Sequence, residues 1–91
     1  MNDIEKQVTE LVEPLVQSAG LRLAGVEYVC EENEWFLRVF IDKAEGIDIN
    51  DCVLISKQLS KLLDEQDFIR DQYYLEVSSP GIPADEGGKI E

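Results

Sequence analysis

The chain has 91 residues, 44% of them hydrophobic, and twenty acidic against eight basic side chains give it a net charge of −12. That length fits one domain with a small core, and that charge argues against a nonspecific nucleic-acid binder, which needs Lys and Arg to displace phosphate counterions. Histidine is absent, which removes His-dependent nucleophiles and His-containing zinc sites, and no apolar run approaches the ~20 residues that span a bilayer.

The N-terminus, MNDIEK, lacks a basic segment followed by an apolar one. It does not read as a secretory signal, and a soluble cytoplasmic protein is the expectation. Cys30 and Cys52 are too few for a disulfide scaffold and are expected as half-buried thiols in a reducing compartment. The acidic balance suits a basic protein partner, or simply a soluble acidic domain.

Ile4, Val8, Leu11, Val12, Leu15 and Val16 recur at spacings of three and four, which predicts an amphipathic helix from Asn2 or Asp3 to Ala19. Asn2 or Asp3 can cap it, Glu5 lies in the favourable first turn, and Gly20 can take the left-handed position after it. Pro14 predicts a kink or short break near Glu13, because it lacks an N–H and crowds the preceding turn.

Leu21 to Cys30 reads as a strand whose alternation shifts phase at Ala24-Gly25, the mark of a bulge or bend at Gly25. After a polar turn at residues 31–34, Trp35 to Ile41 forms the clearest strand. Trp35, Leu37, Val39 and Ile41 share one face; Phe36, Arg38 and Phe40 share the other. The short polar loop predicts an antiparallel hairpin. Phe36 and Phe40 around Arg38 have two readings: a base-stacking platform for single-stranded RNA, or cross-strand packing beside an ion pair. The acidic surroundings favour the second.

Residues 42–46 form a turn-rich exit. Asp48 is the expected N-cap of a second helix, Ile49 to about Leu63, with Ile49, Cys52, Ile55, Leu59, Leu62 and Leu63 on its apolar face and Ser56, Lys57, Ser60 and Lys61 largely on the other. Asp64 to Gln72 reads as a polar loop pinned by Phe68 and Ile69. A last strand, Tyr73 to Ser78, ends in an exposed turn over Ser78, Ser79, Pro80 and Gly81. The order α-β-β-α-β predicts an α+β domain of two layers, a three-stranded sheet with both helices on one face. The uncovered face is expected to carry Arg22, Glu27, Arg38 and Glu76. Domain bounds fall at 1–81, and 82–91 reads as a flexible tail or linker remnant.

No catalytic constellation emerges: carboxylate pairs such as Asp64-Glu65 and Asp85-Glu86 read as solvated loop charges. The chain is expected to be no enzyme and to use no cofactor, no metal and no small-molecule substrate. Capping and turn formation account for Asp42, Lys43, Asp48 and Asp51 before binding does. Ser78, Ser79, Pro80 and Gly81 are the leading candidates for an interdomain hinge or a partner contact, with Asp42, Lys43 and Arg38 as further candidate contacts.

Five pieces in order, GLRLAGVEYV at 20–29, WFLRVFIDK at 35–43, GIDINDC at 46–52, SKQLS at 56–60 and YLEVSSPG at 74–81, resemble the N-terminal domain of the bacterial ribosome maturation factor RimP family. No single piece is diagnostic; the ordered set is specific. The resemblance implies a non-enzymatic, cytoplasmic assembly factor that binds the small (30S) ribosomal subunit and helps ribosomal protein S12 take its place, with a possible 16S rRNA contact and no membrane association. It also implies an SH3-like C-terminal domain in the same chain. Here the acidic residue and Arg-Pro-Leu with which the family usually continues are replaced by IPADEGG, so that second domain is not expected within residues 82–91. The competing reading is a generic acidic protein-interaction domain unrelated to ribosomes.

Overall fold

A computed structural model describes residues 2–79. In chain order the elements are α1 (Asp3–Ser18), β1 (Arg22–Glu31), β2 (Glu34–Asp42), α2 (Ile49–Gln66) and β3 (Tyr73–Ser78). The sheet order is β1-β2-β3. β1 and β2 form the expected antiparallel hairpin, while β3 runs parallel to β2. A parallel neighbour needs a crossover rather than a tight turn, and α2 supplies it. The sheet is therefore mixed.

α1 is closed at its start by a reciprocal box. The Glu5 N–H donates to Asn2 Oδ1 (2.8 Å), and the Asn2 N–H donates to Glu5 Oε1 (3.0 Å). Each bond satisfies one donor that a helix start leaves unpaired. Of the kink or short break expected near Glu13, the break does not occur: α1 continues through Pro14 to Ser18, in line with its expected span. Val12 and Val16, fully buried on either side of Pro14, hold that face on the core, and packing outweighs the lost donor. Gly20 then takes φ +75°, the left-handed geometry expected of it.

In the β1–β2 pair the register skips between Leu23 and Gly25, which leaves Ala24 as the extra residue of a bulge. The hairpin closes on Glu32 and Asn33, both at positive φ (52° and 66°), the twist that two-residue hairpin loops need. α2 starts from Asp48, whose side chain accepts from the Asp51 N–H (3.0 Å), and continues to Gln66, one turn past the expected end. Asp67, at φ 48°, then forms the left-handed cap. The remaining loop is pinned as expected, with Phe68 and Ile69 packed against the core.

Both helices lie on the sheet face that carries Leu37, Val39 and Ile41. α1 packs on β1 and α2, and α2 packs on β3. Val8, Val12, Val16, Ile55, Leu59, Leu37, Val39, Ile41 and Val77 are fully enclosed. Two assignments on α2 are corrected. Ile49 is 52% exposed and Ser56 is buried. The buried stripe runs Cys52, Ile55, Ser56, Leu59, Leu63, so Ser56 sits one turn from Cys52 inside it, whereas Ile49 is the helix's first residue, at the stripe's margin. Among the described residues, no buried side-chain polar atom lacks a hydrogen-bond partner.

Candidate functional site

The sheet face opposite the helices carries the site candidates. Strand alternation puts Glu27, Arg38 and Glu76 in one row across β1, β2 and β3, with Val29, Phe36 and Tyr74 in the next. Arg38 is the centre of this face. Its Nε donates to Glu76 Oε1 (3.1 Å), its Nη1 to Glu31 Oε2 (3.2 Å) and its Nη2 to Glu31 Oε1 (2.9 Å). The guanidinium also lies 4.9 Å from the Phe36 ring centroid, within cation–π range. Phe36 stacks with Tyr74 at 5.5 Å.

Glu31 holds Arg38 even more firmly protonated than usual, and Arg38 in turn keeps the Glu31 carboxyl below its ordinary range. Glu76 is buried although its row faces away from the helices. The guanidinium is thus the counter-ion of a buried carboxylate. Of the two readings of Phe36, Arg38 and Phe40, the arrangement matches cross-strand packing beside an ion pair; Arg38 spends its donors on protein carboxylates.

Asp42 and Lys43 lie at the far end of β2, four and five residues from Arg38, and are not brought together with it. The Asp42 carboxylate accepts from the Lys43 backbone N–H (2.8 Å) and from Arg22 Nη2 (3.0 Å). These two contacts, the backbone one first, hold Asp42 below its ordinary range. Lys43 Nζ lies 3.8 Å from Asp51 Oδ2 in the first turn of α2. Asp42 and Lys43 therefore tie the end of β2 to the start of β1 and to α2.

Ser78 ends β3 opposite Phe40. Ser78 and Ser79 are both buried, so the exposed turn expected there is corrected for these two residues: β3 stays paired with β2 to its last position, Ser78 against Phe40. Pro80 and Gly81, with the expected tail at 82–91, lie outside the described residues. Across Arg22, Arg38 and Lys43, each cation on this surface has an acidic partner within 4 Å.

Glu31, Glu76 and Glu5 were not singled out for these contacts by the sequence. Glu31 and Glu76 meet Arg38 only once strand register is known. The Asn2–Glu5 spacing was the one local signal, that of a capping box. At the hairpin end of the sheet an open cleft of about 580 Å³ is lined by Glu34, Asp64, Asp71, Tyr73 and their neighbours. Its wall joins an aromatic group in which Tyr28 stacks on Trp35 at 4.6 Å, and the Tyr28 hydroxyl donates to Asp71 (3.4 Å). Among the described residues no cluster of His, Cys, Asp and Glu could hold a metal ion, and no helix is long and apolar enough to cross a membrane.

Compared with family models, residues 11–83 match the one described as the RimP N-terminal domain, well over half of the chain.

Proposed function

The chain belongs to the RimP N-terminal domain family, and from that membership we propose that it is a non-catalytic, cytoplasmic assembly module that meets ribosomal protein S12 on the maturing 30S subunit. Membership ties the chain to ribosome maturation and to a ribosome-related partner. The match over residues 11–83 carries the reading. Two physical features support the choice of a basic protein over bare RNA. The net charge of −12 favours steered encounter with a basic partner. Arg22, Arg38 and Lys43 are already paired with Asp42, with Glu31 and Glu76, and with Asp51, so they are poorly placed to displace phosphate counterions.

In this reading residues 1–81 act as the family's N-terminal unit and 82–91 as linker towards an SH3-like domain. Ser78 and Ser79, with Pro80 and Gly81, serve as the seam between the two, and Asp42 and Lys43 mark a contact edge. The test is co-sedimentation of the protein with free small subunits, beside a pull-down with purified S12. Binding to both, weakened by salt, supports the reading. Binding to neither overturns it, and capture of non-ribosomal partners alone favours a generic acidic interaction domain.

A further inference from the structure

Glu5 does more than cap α1. Its second oxygen, Oε2, accepts a 2.9 Å hydrogen bond from the backbone N–H of Tyr28 in β1. β1 is an edge strand, paired with β2 on one side only. Because the Tyr28 N–H points to Glu5, away from β2, the pair Tyr28–Leu37 is of the kind that exchanges no hydrogen bonds within the hairpin. Alternation then turns the N–H groups of Val26, Tyr28 and Cys30 outward. Among the described residues, no other strand takes up this edge. A long unpaired edge is a template for pairing with another chain unless something blocks it.

We propose that Glu5 is an edge guard, whose carboxylate, seated on the Tyr28 amide, holds back pairing of β1 with β1 of a second copy of this chain. The geometry favours that occupant. The regular stretch Gly25 to Glu31 lies beyond the bulge at Ala24 and is as long as an ordinary strand. In an antiparallel pair with a two-fold axis at Tyr28, Val26 faces Cys30 of the other copy, Glu27 faces Val29, and Gly25 faces Glu31. No like charges oppose each other directly, so the side chains of β1 itself do not forbid the pair. The bond at its centre, from one Tyr28 N–H to the other Tyr28 carbonyl, cannot form while Glu5 holds that amide. Glu5 also stays ionised readily, since the Tyr28 N–H, ahead of the Asn2 N–H, favours its charged form, and a carboxylate at an edge is a poor partner for incoming carbonyls.

The test is sedimentation equilibrium on the whole chain. Glu5→Ala keeps the cap on α1, because the N–H of residue 5 still donates to Asn2 Oδ1, but it frees the Tyr28 amide. Self-association should rise by about tenfold or more relative to the unsubstituted protein. Glu5→Gln, whose single amide oxygen can hold only one of the two N–H groups, should fall between them. Adding Cys30→Pro to Glu5→Ala, which removes one outward donor of β1, should reverse the gain. If both Glu5 variants, folded by circular dichroism, associate no more than the parent, the proposal is overturned. A gain that Cys30→Pro leaves intact overturns it equally, since another surface is then responsible. If Glu5→Ala fails to fold, Glu5→Gln alone decides, by the same comparison.

Discussion

Arg38 on β2 and Glu76 on β3 face each other across a parallel strand pair, with Arg38 Nε 3.1 Å from a carboxylate that is buried on the sheet face away from the helices. Arg38→Ala would leave that carboxylate without its counter-ion. A fully buried pair broken in this way costs about 3–5 kcal/mol; Arg38 keeps some water access, so about 2–3 kcal/mol is expected. Urea unfolding measures it. Arg38→Ala combined with Glu76→Gln should recover part of the loss, because the uncompensated charge is then gone. An Arg38→Ala protein of unchanged stability that no longer binds small subunits would show instead that Arg38 belongs to a contact surface.

Acid should act through the carboxylates that the fold keeps ionised. The Tyr28 amide, the Arg38 guanidinium and the Lys43 amide hold Glu5, Glu31 and Asp42 below their ordinary values. A depressed carboxyl binds its proton more readily in the unfolded chain, so its contribution is complete above the unfolded value of about 4 and is lost as pH falls through the folded value. Glu31→Gln should therefore lower the urea midpoint more at pH 7 than at pH 3. Taking the difference between the two proteins removes the general relief of acidic self-repulsion, which works in the opposite direction. Equal differences at both pH values would refute the assignment.

Alkali tests the aromatic group at the hairpin end. Burial, and then the neighbouring Asp71 carboxylate, push the Tyr28 hydroxyl up to about 12. Burial also raises Tyr73. A raised phenol contributes stability that is whole below its unfolded pKa of about 10 and is lost as pH rises towards the folded value. Ultraviolet titration of the three tyrosines should show a late phase that Tyr28→Phe reduces, leaving the part that belongs to Tyr73. The same variant should keep neutral stability to within about 1 kcal/mol, the worth of a modest hydrogen bond, and lose less of it above pH 10. A late phase that survives in full would assign it elsewhere.

The start of α2 rests on Asp48. Its carboxylate accepts from the Asp51 N–H, and Asp51 in turn accepts from the Asp48 N–H (3.2 Å). Asp48→Ala should cost about 0.5–2 kcal/mol, as loss of an N-cap does. Asp48→Asn should cost much less, because its side-chain oxygen can still accept. Thermal unfolding of the pair distinguishes capping from a charge effect.

Most of the elements were legible because their signals are local. The three- and four-residue spacing in Val8, Val12 and Val16, the alternation of Leu37, Val39 and Ile41, and the caps at Asn2 and Asp48 each depend on residues within a turn or a strand. The misses came where neighbours across the fold outvote the local rule. The helix runs on past Pro14 as its expected span required, but without the short break, because Val12 and Val16 bury around it. Ser56 is buried because its angular position, not its polarity, decides which face it takes. Of the candidate contacts, Arg38 was legible as an ion-pair member but its partners were not, since Glu31 and Glu76 lie seven and 38 residues away along the chain.

The sequence by itself determined the α-β-β-α-β order, the hairpin, the acidic character and the likeness that the family match bears out. Hydrophobic spacing and capping write these into short stretches of chain. Only the tertiary structure decided that β3 runs parallel to β2, that Glu76 is buried against Arg38, and that Glu5 reaches from α1 to the edge of β1. Those outcomes depend on register and layer packing, which bring together residues far apart in sequence and leave no local pattern behind.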